Sequence, residues 1–399
     1  MLPGNSYFIA QKIGEICTSQ ANFQPISFKS DRLLGLVVWW NEMKQDFIVI
    51  GAGIIGLATA EKLLAEGAAV TVLERGVAGG ESSWAGGGIL SPLCPWNYAD
   101  EVTRLTSRGA ALFPAWAQVL LSETGIDPEY QVSGMLVLPP FDVRVAQPWC
   151  ATHHFELSWV NADEHEVSVQ GEALYLPQVA QVRNPRLLRA LRKRVQALGG
   201  RIVEHCPVHD ISVENGRVQA LATSGGKFSA AGYVVTAGAW SKEVLGPHAL
   251  QLDIRPVRGQ MLLFKFSEPP LRAIVLQGDL YLIPRRDGHL LVGSTLEDVG
   301  FDKQTTVAAR DDLLQRAQRV LPQLHGMPVV KQWAGLRPAS PHNIPTIGRH
   351  PQLDNLYLNS GHFRYGVTMA PSSVEVFLNE ITGTGQPFDV KPYRSGWGV

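Results

Sequence analysis

Residues 46–75 read DFIVIGAGIIGLATAEKLLAEGAAVTVLER, and this stretch decides the fold of the chain. Its apolar, β-branched run at residues 47–50 is typical of a strand buried on both faces. A glycine-rich turn follows, then a helical pattern to Gly67 and a second predicted strand at residues 69–73. The order of strand, helix and strand predicts the start of an α/β domain with a parallel sheet.

The glycines of this turn, Gly51, Gly53 and Gly56, are spaced as in dinucleotide-binding proteins. There the first permits the sharp bend, the second admits a pyrophosphate to the backbone, and the third lets helix and strand pack closely. Glu74 ends the second strand, where an acid accepts hydrogen bonds from ribose hydroxyls and repels a 2′-phosphate. A glycine-rich turn without a ligand is the alternative, but the strand, helix and acid in register favour a Rossmann-like dinucleotide site that disfavours NADP.

The composition is that of an ordinary globular protein of about two domains. The 399 residues are 45% hydrophobic and 18% charged, and the formal net charge of −1 gives no reason to expect nucleic acid or an anionic membrane surface. The four cysteines lie far apart without CxxC spacing, which argues against a zinc site or a redox pair. Scattered cysteines fit a reducing compartment, so a cytoplasmic protein without a metal is expected.

The beginning of the chain differs from the rest because it carries no clear periodicity. Its longest apolar run, at residues 33–40, is shorter than the roughly 20 residues of a membrane span. The run also lacks the basic flank and cleavage site of a signal peptide. Met43 stands a few residues before the first strand, so residues 1–42 are predicted to be a translated upstream segment rather than part of the native protein.

Two later regions differ in pattern. The glycine- and serine-rich loop at residues 76–90 also contains apolar residues, so we expect its backbone to contact a cofactor rather than to form a solvated linker. Predicted strands at residues 254–266, 273–277, 280–284 and 289–294 follow one another closely, which indicates a mostly antiparallel sheet in a second domain.

Three separated segments resemble the D-amino acid oxidase and glycine oxidase family of flavoenzymes. They are residues 51–74, 79–95 and 335–371. The motifs ESSWAGGGILSPLCPW from Glu81, WAGLRPASP from Trp333 and NSGHFRYGVTMAP from Asn359 look most like the glycine oxidases of bacterial thiamine biosynthesis. The similarity runs from Met43 to the C-terminus.

The resemblance implies non-covalent FAD in a discontinuous Rossmann-like domain, and a substrate domain whose mostly antiparallel sheet covers the flavin. The predicted division gives residues 1–43 to an N-terminal extension, 44–125, 178–250 and 333–385 to the FAD-binding domain, and 126–177 and 251–332 to the substrate-binding domain. No cysteine follows Cys206, so the cysteinyl flavin link of the sarcosine oxidase branch is not available here.

The resemblance also assigns cofactor contacts along the whole chain. The predicted set is Gly51, Gly53, Ile54, Ile55, Gly56, Glu74, Arg75, Ser82, Ser83, Gly87, Gly88, Ile89, Val208, His362, Phe363, Arg364, Tyr365, Gly366, Val367 and Thr368. The run at residues 362–368 precedes a predicted helix, whose N–H groups suit the edge of the flavin that is negative when reduced.

The resemblance matches three residues to substrate binding and catalysis. Arg337 matches the arginine that binds the substrate carboxylate, which a planar guanidinium does bidentately. The alternative for Arg337 is a surface salt bridge. Tyr281 matches a tyrosine that helps to hold the same carboxylate, with a core aromatic residue as its alternative. Arg364 matches a second active-site arginine. At Leu296 the sequence departs from one branch of the family, which leaves the size of the substrate pocket open.

The implied reaction is oxidative deamination of glycine and small amines or D-amino acids by hydride transfer to FAD, with glyoxylate, ammonia and H2O2 as the products from glycine. No side-chain base is needed if the amine binds uncharged. A dehydrogenase that passes electrons to a quinone, and a non-catalytic flavoprotein or tRNA-modification module, are the alternatives. The family suggests a homotetramer, and the absence of a basic patch counts against RNA binding.

Overall fold

The structure is a computed structural model, and it describes residues 46–398. The predicted N-terminal extension at residues 1–43 lies outside the described residues, and so does Met43, the predicted start of the native protein. Among the described helices, none is both long enough and apolar enough to cross a lipid bilayer.

The regular elements are numbered here in chain order. The strands are β1 Phe47–Ile50, β2 Val70–Leu73, β3 Gln131–Val132, β4 Met135–Leu138, β5 Ser158–Asn161, β6 Glu172–Leu176, β7 Ala180–Gln181, β8 Arg201–Val203, β9 Val208–Glu214, β10 Arg217–Thr223, β11 Gly226–Phe228, β12 Gly232–Val235, β13 Arg255–Lys265, β14 Ile274–Gln277, β15 Leu280–Pro284, β16 His289–Gly293, β17 Lys331–Ala339, β18 Thr346–Arg349 and β19 Leu356–Ser360. The α-helices are α1 Ile54–Ala65, α2 Ser82–Ala85, α3 Asp100–Thr124, α4 Val143–Thr152, α5 Asn184–Ala197, α6 Ser241–Leu245, α7 Val307–Val320, α8 Gly366–Thr382 and α9 Lys391–Arg394.

The first sheet has the strand order β18-β19-β12-β1-β2-β8. Its strands are parallel except for β18, which runs antiparallel to β19. Strand β1 lies between β12 and β2, and all four of its residues are buried, as its continuous apolar run predicts. The prediction of an α/β fold that opens with a Rossmann-like unit is confirmed.

The second sheet has the strand order β17-β13-β16-β15-β14-β4-β6-β5. Apart from the parallel pair β14 and β4, its neighbours are antiparallel, which confirms the predicted mostly antiparallel sheet. Successive residues of a strand point to opposite faces. Leu262 and Leu282 therefore pack in one core with Leu313 of α7, whereas Met261 and Tyr281 face a different cluster on the other side.

Some elements differ from the sequence-based expectation. Helix α4 was not predicted, because its buried residues are few and Pro148 interrupts its pattern. The strand-like stretch at residues 157–169 forms a strand only at β5. The sequence-based division places residues 333–385 in the FAD-binding domain, which contains the first sheet. Strand β17 covers the start of this range, and it pairs with β13 of the second sheet over nine residue pairs. Arg337 therefore stands on the second sheet.

Candidate active site

A cavity lies at the carboxyl ends of β1, β2 and β12, where they face the second sheet. Its lining contains every predicted cofactor residue except Gly56 and Thr368, and it also contains Arg337 and Tyr281. The segments that were assigned to one site from the sequence thus meet in one place, although the first and the last of them lie more than 300 residues apart in the chain. Parallel sheets typically bind ligands at this edge.

The glycines of the first turn have the geometry that their spacing predicts. Gly51 has φ +109°, and a Cβ atom there would lie 2.7 Å from the carbonyl oxygen of Thr236. A Cβ atom on Gly56 would lie 1.8 Å from the Gly51 carbonyl oxygen. Gly56 therefore does not line the cavity, because its role is to let α1 pack against the turn. Thr368 is also set back, and its hydroxyl donates to the Ile89 carbonyl at 3.1 Å.

Glu74 connects this turn to the chain that follows β2. Its two carboxylate oxygens accept hydrogen bonds from the backbone N–H groups of Ala52 and Gly76, both at 2.8 Å. The residue is buried and also lines the cavity. Glu74 thus fixes the glycine turn in addition to offering the acid that the sequence analysis assigned to ribose hydroxyls.

The glycine loop at residues 86–88 packs closely against both neighbouring layers. A Cβ atom on Gly87 would lie 2.5 Å from Ile283 Cδ1 and 3.3 Å from the Tyr281 ring. Gly88 has φ +75°, and a Cβ atom there would lie 2.5 Å from Asn184 Oδ1. The backbone of this loop lies very close to β15, as glycine permits, which supports the prediction that its backbone contacts a cofactor.

Arg337 projects into the cavity from β17. Its guanidinium donates to the Thr295 carbonyl at 3.1 Å and to the Ser294 hydroxyl at 2.7 Å. Gly259 of β13 makes room for it, since a Cβ atom there would lie 2.1 Å from Nη1 and Nη2. Burial lowers the pKa of Arg337 from its ordinary value. Within residues 46–398 the guanidinium has neutral hydrogen-bond partners only, so a ligand carboxylate can supply its counter-charge.

The other predicted substrate residues lie in the same lining. Tyr281 is buried, and its hydroxyl is 3.9 Å from Met261 Sδ. Arg364 lines the same cavity, and its positive charge adds to the lowering of the Arg337 pKa that burial causes. The hydroxyl of Tyr365 donates to that of Tyr98.

The only histidine in this lining is not arranged as a general base. His362 is buried, its Nε2 is 2.8 Å from Ser373 Oγ, and burial lowers its pKa to about 3. Its ring is therefore neutral at physiological pH, and a group with so low a pKa is a weak proton acceptor. His362 is therefore not a candidate for a general base.

Three residues that shape the site were not predicted from the sequence. Gly259 lies in mid-strand, where a glycine often signals a close approach of another group, and that signal was available. Arg285 immediately follows β15 and continues the alternation of Tyr281 and Ile283, so strand periodicity could have placed it on the same face. Asn359 lines the cavity from β19 and had no signal. Leu296, by contrast, is 56% exposed and lies outside this lining, so it does not set the size of the pocket.

Residues 46–376 match the protein family described as FAD dependent oxidoreductase. The chain belongs to this family. A glycine oxidase of Pseudomonas putida is 43% identical to it over 358 residues, which cover 88% of this chain and 98% of that protein. A bifunctional protein ThiO/ThiG of Trichormus variabilis is 32% identical over 85% of this chain and 53% of its own length. The crystal structure of glycine oxidase from Geobacillus kaustophilus superimposes with a TM-score of 0.82 at 26% identity, over 87% of this chain and 97% of that one.

The cofactor of this family of oxidoreductases is FAD, and the cavity fits it. One end holds the glycine turn at the N-terminus of α1, which suits a pyrophosphate. Two lining residues, Asn184 and Asn359, each carry a buried side-chain oxygen without a hydrogen-bond partner among the described residues. FAD carries hydroxyl and N–H donors that such acceptors need. Glu74, the α1 turn and the loop at residues 86–88 would hold it.

Replacing Glu74 by alanine is expected to weaken FAD binding at least tenfold and to lower the melting temperature of the apoprotein. Two backbone N–H groups lose their acceptor, and each buried unpaired donor costs about 1–3 kcal/mol. Glu74→Gln keeps one good acceptor, so its FAD affinity and its melting temperature should lie between those of the wild type and the alanine variant. Flavin fluorescence titration and thermal unfolding measure these effects.

Glu204 provides a matched control for this change. Its carboxylate also accepts from a backbone N–H group, that of Ala78 at 2.8 Å, but it does not line the cavity. Glu204→Ala should therefore lower the melting temperature and leave FAD affinity unchanged. Equal losses of FAD affinity in the two alanine variants would contradict the specific role of Glu74.

Proposed function

We propose that the protein oxidises glycine and other small amino acids, converting glycine, O2 and water to glyoxylate, ammonia and H2O2. The observation that carries the proposal is the Arg337 guanidinium, which enters the cavity beside Tyr281 and has no acidic partner in the described chain. The glycine oxidases that resemble the chain over nearly all of their length support the choice of substrate.

Within this proposal, the residues of the chain bind and orient the substrate. Arg337 holds the carboxylate by two parallel hydrogen bonds, and the Tyr281 hydroxyl contributes a third. Fixing the carboxylate fixes the α-carbon, and such positioning is a large part of catalysis when no proton has to be moved by a side chain. The backbone carbonyls near Arg364 accept hydrogen bonds from the amine. Bound FAD supplies the hydride acceptor and the reaction with O2.

We further propose that the reaction serves thiamine biosynthesis, in which the oxidised glycine is used for the thiazole. Support comes from the relatives named ThiO/ThiG, in which a segment similar to this chain is joined to a second segment. A cytoplasmic homotetramer belongs to the same proposal, as does the two-domain division given above with β17 moved to the substrate-binding domain. Size-exclusion chromatography with light scattering tests the tetramer, and limited proteolysis tests the domain boundaries.

A substrate panel with peroxide detection tests the proposed function. Purified protein loaded with FAD is supplied with glycine, sarcosine, D-alanine or D-proline, and H2O2 and the keto-acid product are both measured. We expect peroxide and glyoxylate in equal amounts from glycine. Turnover with a quinone or dye acceptor but without peroxide would identify a dehydrogenase instead. No turnover of any member of the panel would leave a non-catalytic flavoprotein.

A further inference from the structure

Arg285 is a buried arginine at the carboxyl side of β15, and it is 4% exposed. Its Nη2 atom donates to the Gly87 carbonyl at 2.6 Å. Its Nη1 atom donates to Gln181 Oε1 at 2.7 Å and to the Val182 carbonyl at 2.9 Å. One guanidinium therefore joins the second sheet, the glycine loop and the segment that includes β7.

The position of Arg285 in its strand relates it to the active site. Tyr281, Ile283 and Arg285 are alternate residues of β15 and its continuation, so their side chains share one face. A Cβ atom on Gly87 would contact Ile283 and Tyr281, and Arg285 donates a hydrogen bond to the Gly87 carbonyl. This face of β15 therefore sets where the loop at residues 86–88 lies relative to the substrate tyrosine.

Among the described residues, the Arg285 guanidinium has neutral hydrogen-bond partners only. Its direct partners are two carbonyl groups and one amide side chain, and its Nε atom is buried without a partner in the described chain. Glu129 and Asp287 are acids whose charges act on Arg285, but both are hydrogen-bonded to Arg183. A buried cation with neutral partners attracts negative charge in its surroundings strongly, because the local dielectric is low.

We propose that Arg285 is a positioning residue that fixes the loop at residues 86–88 against Tyr281, and that its charge raises the reduction potential of FAD bound in the cavity. Gly87 lines the cavity, so the Arg285 guanidinium that binds the Gly87 carbonyl is separated from the cavity by a single residue. Reduction adds negative charge to the flavin, and a nearby cation stabilises the reduced form. The inference depends on FAD occupying this cavity and not on which amino acid is oxidised.

The test compares Arg285→Gln and Arg285→Lys with a matched control, Arg286→Gln. Arg286 is the next residue, its side chain is 52% exposed, and it donates to the Tyr130 carbonyl and the Gln131 side chain on the protein surface. The midpoint potential of the bound flavin is measured by spectroscopic titration without substrate. The kcat and KM for the best substrate of the panel are measured separately.

We expect Arg285→Gln to shift the midpoint potential to a more negative value, by about 30 mV for each tenfold change in the two-electron equilibrium. Arg285→Lys keeps the charge but cannot bridge the loop and Gln181 together. Its potential should stay near the wild-type value while kcat falls about tenfold and KM changes little. Arg286→Gln should match the wild type in all three quantities.

Two results would overturn the proposal. The charge effect is rejected if Arg285→Gln and Arg286→Gln have the same flavin potential as the wild type. The positioning role is rejected if Arg285→Lys retains wild-type kcat and flavin absorption spectrum. If the glutamine variant does not fold, Arg285→Lys still tests positioning, and a kcat equal to the wild type is then sufficient to reject it. Absence of glycine turnover in the wild type affects only the proposed function, since the potential is measured without substrate.

Discussion

Replacement of Arg337 by alanine is expected to raise the KM for glycine by about two orders of magnitude or more. Two charge-assisted hydrogen bonds to the carboxylate are lost, and each is worth about 1.5–3 kcal/mol. Arg337→Lys keeps the charge but not the planar fork, so it should recover only part of the affinity. Because Arg337 donates to one carbonyl and one hydroxyl among the described residues, the alanine variant should still fold and bind FAD.

Arg255→Ala is a suitable control for this substitution. Arg255 lies on the neighbouring strand β13, its side chain is 65% exposed, and it pairs with Asp298 at the surface. The KM for glycine should be the same in this variant as in the wild type. Steady-state kinetics with FAD-saturated protein checks both variants, and an unchanged KM in Arg337→Ala would reject the carboxylate-binding role.

Gly56→Ala is expected to abolish FAD binding at micromolar concentrations. Alanine normally favours a helix over glycine by about 1 kcal/mol, yet here its methyl group would lie 1.8 Å from the Gly51 carbonyl oxygen and 2.6 Å from Thr236 Oγ1. The turn that carries Gly51 and Gly53 must then move, and this turn is where the pyrophosphate binds. The flavin content of the purified protein and a fluorescence titration measure the loss.

Gly67→Ala separates this steric effect from a general cost of replacing glycine. Gly67 follows the same helix and has φ +92°, but no atom of residues 46–398 lies within 4 Å of a Cβ atom built there. The change should cost roughly 1–2 kcal/mol of stability from backbone strain and leave FAD affinity unchanged. Normal flavin content in Gly56→Ala would show that the turn can adapt.

The parts of the fold that were predictable have local causes. The β1-α1-β2 unit and the sheet strands β13 to β16 follow from apolar runs and turn residues within a few positions of one another. The pairing of β17 with β13 joins segments about 75 residues apart, and no local pattern records it. Arg337 was therefore assigned by resemblance to a family, and only the structure shows that Gly259 leaves the space that its guanidinium fills.

The candidate site was predictable to the same extent. The glycine turn and Glu74 carry their chemistry in their spacing, so sequence reasoning placed them. Arg285 shares a face with Tyr281 through simple alternation, but a buried arginine whose partners are carbonyl groups leaves no charge pattern in the sequence. Its importance depends on the fold that brings Gly87 and Val182 to it.

The order of strands in the first sheet has a consequence for the making of the protein. Strands β1, β2, β8 and β12 emerge from the ribosome early, whereas β19, which covers the other edge of β12, begins only at residue 356. Until then the nascent chain exposes the apolar edge of Tyr233, Val234 and Val235 to pairing with other chains. The flavin pocket lacks one wall over the same interval. We therefore expect FAD to be captured only after β19 has been made, and a chain that stops short of residue 356 to aggregate.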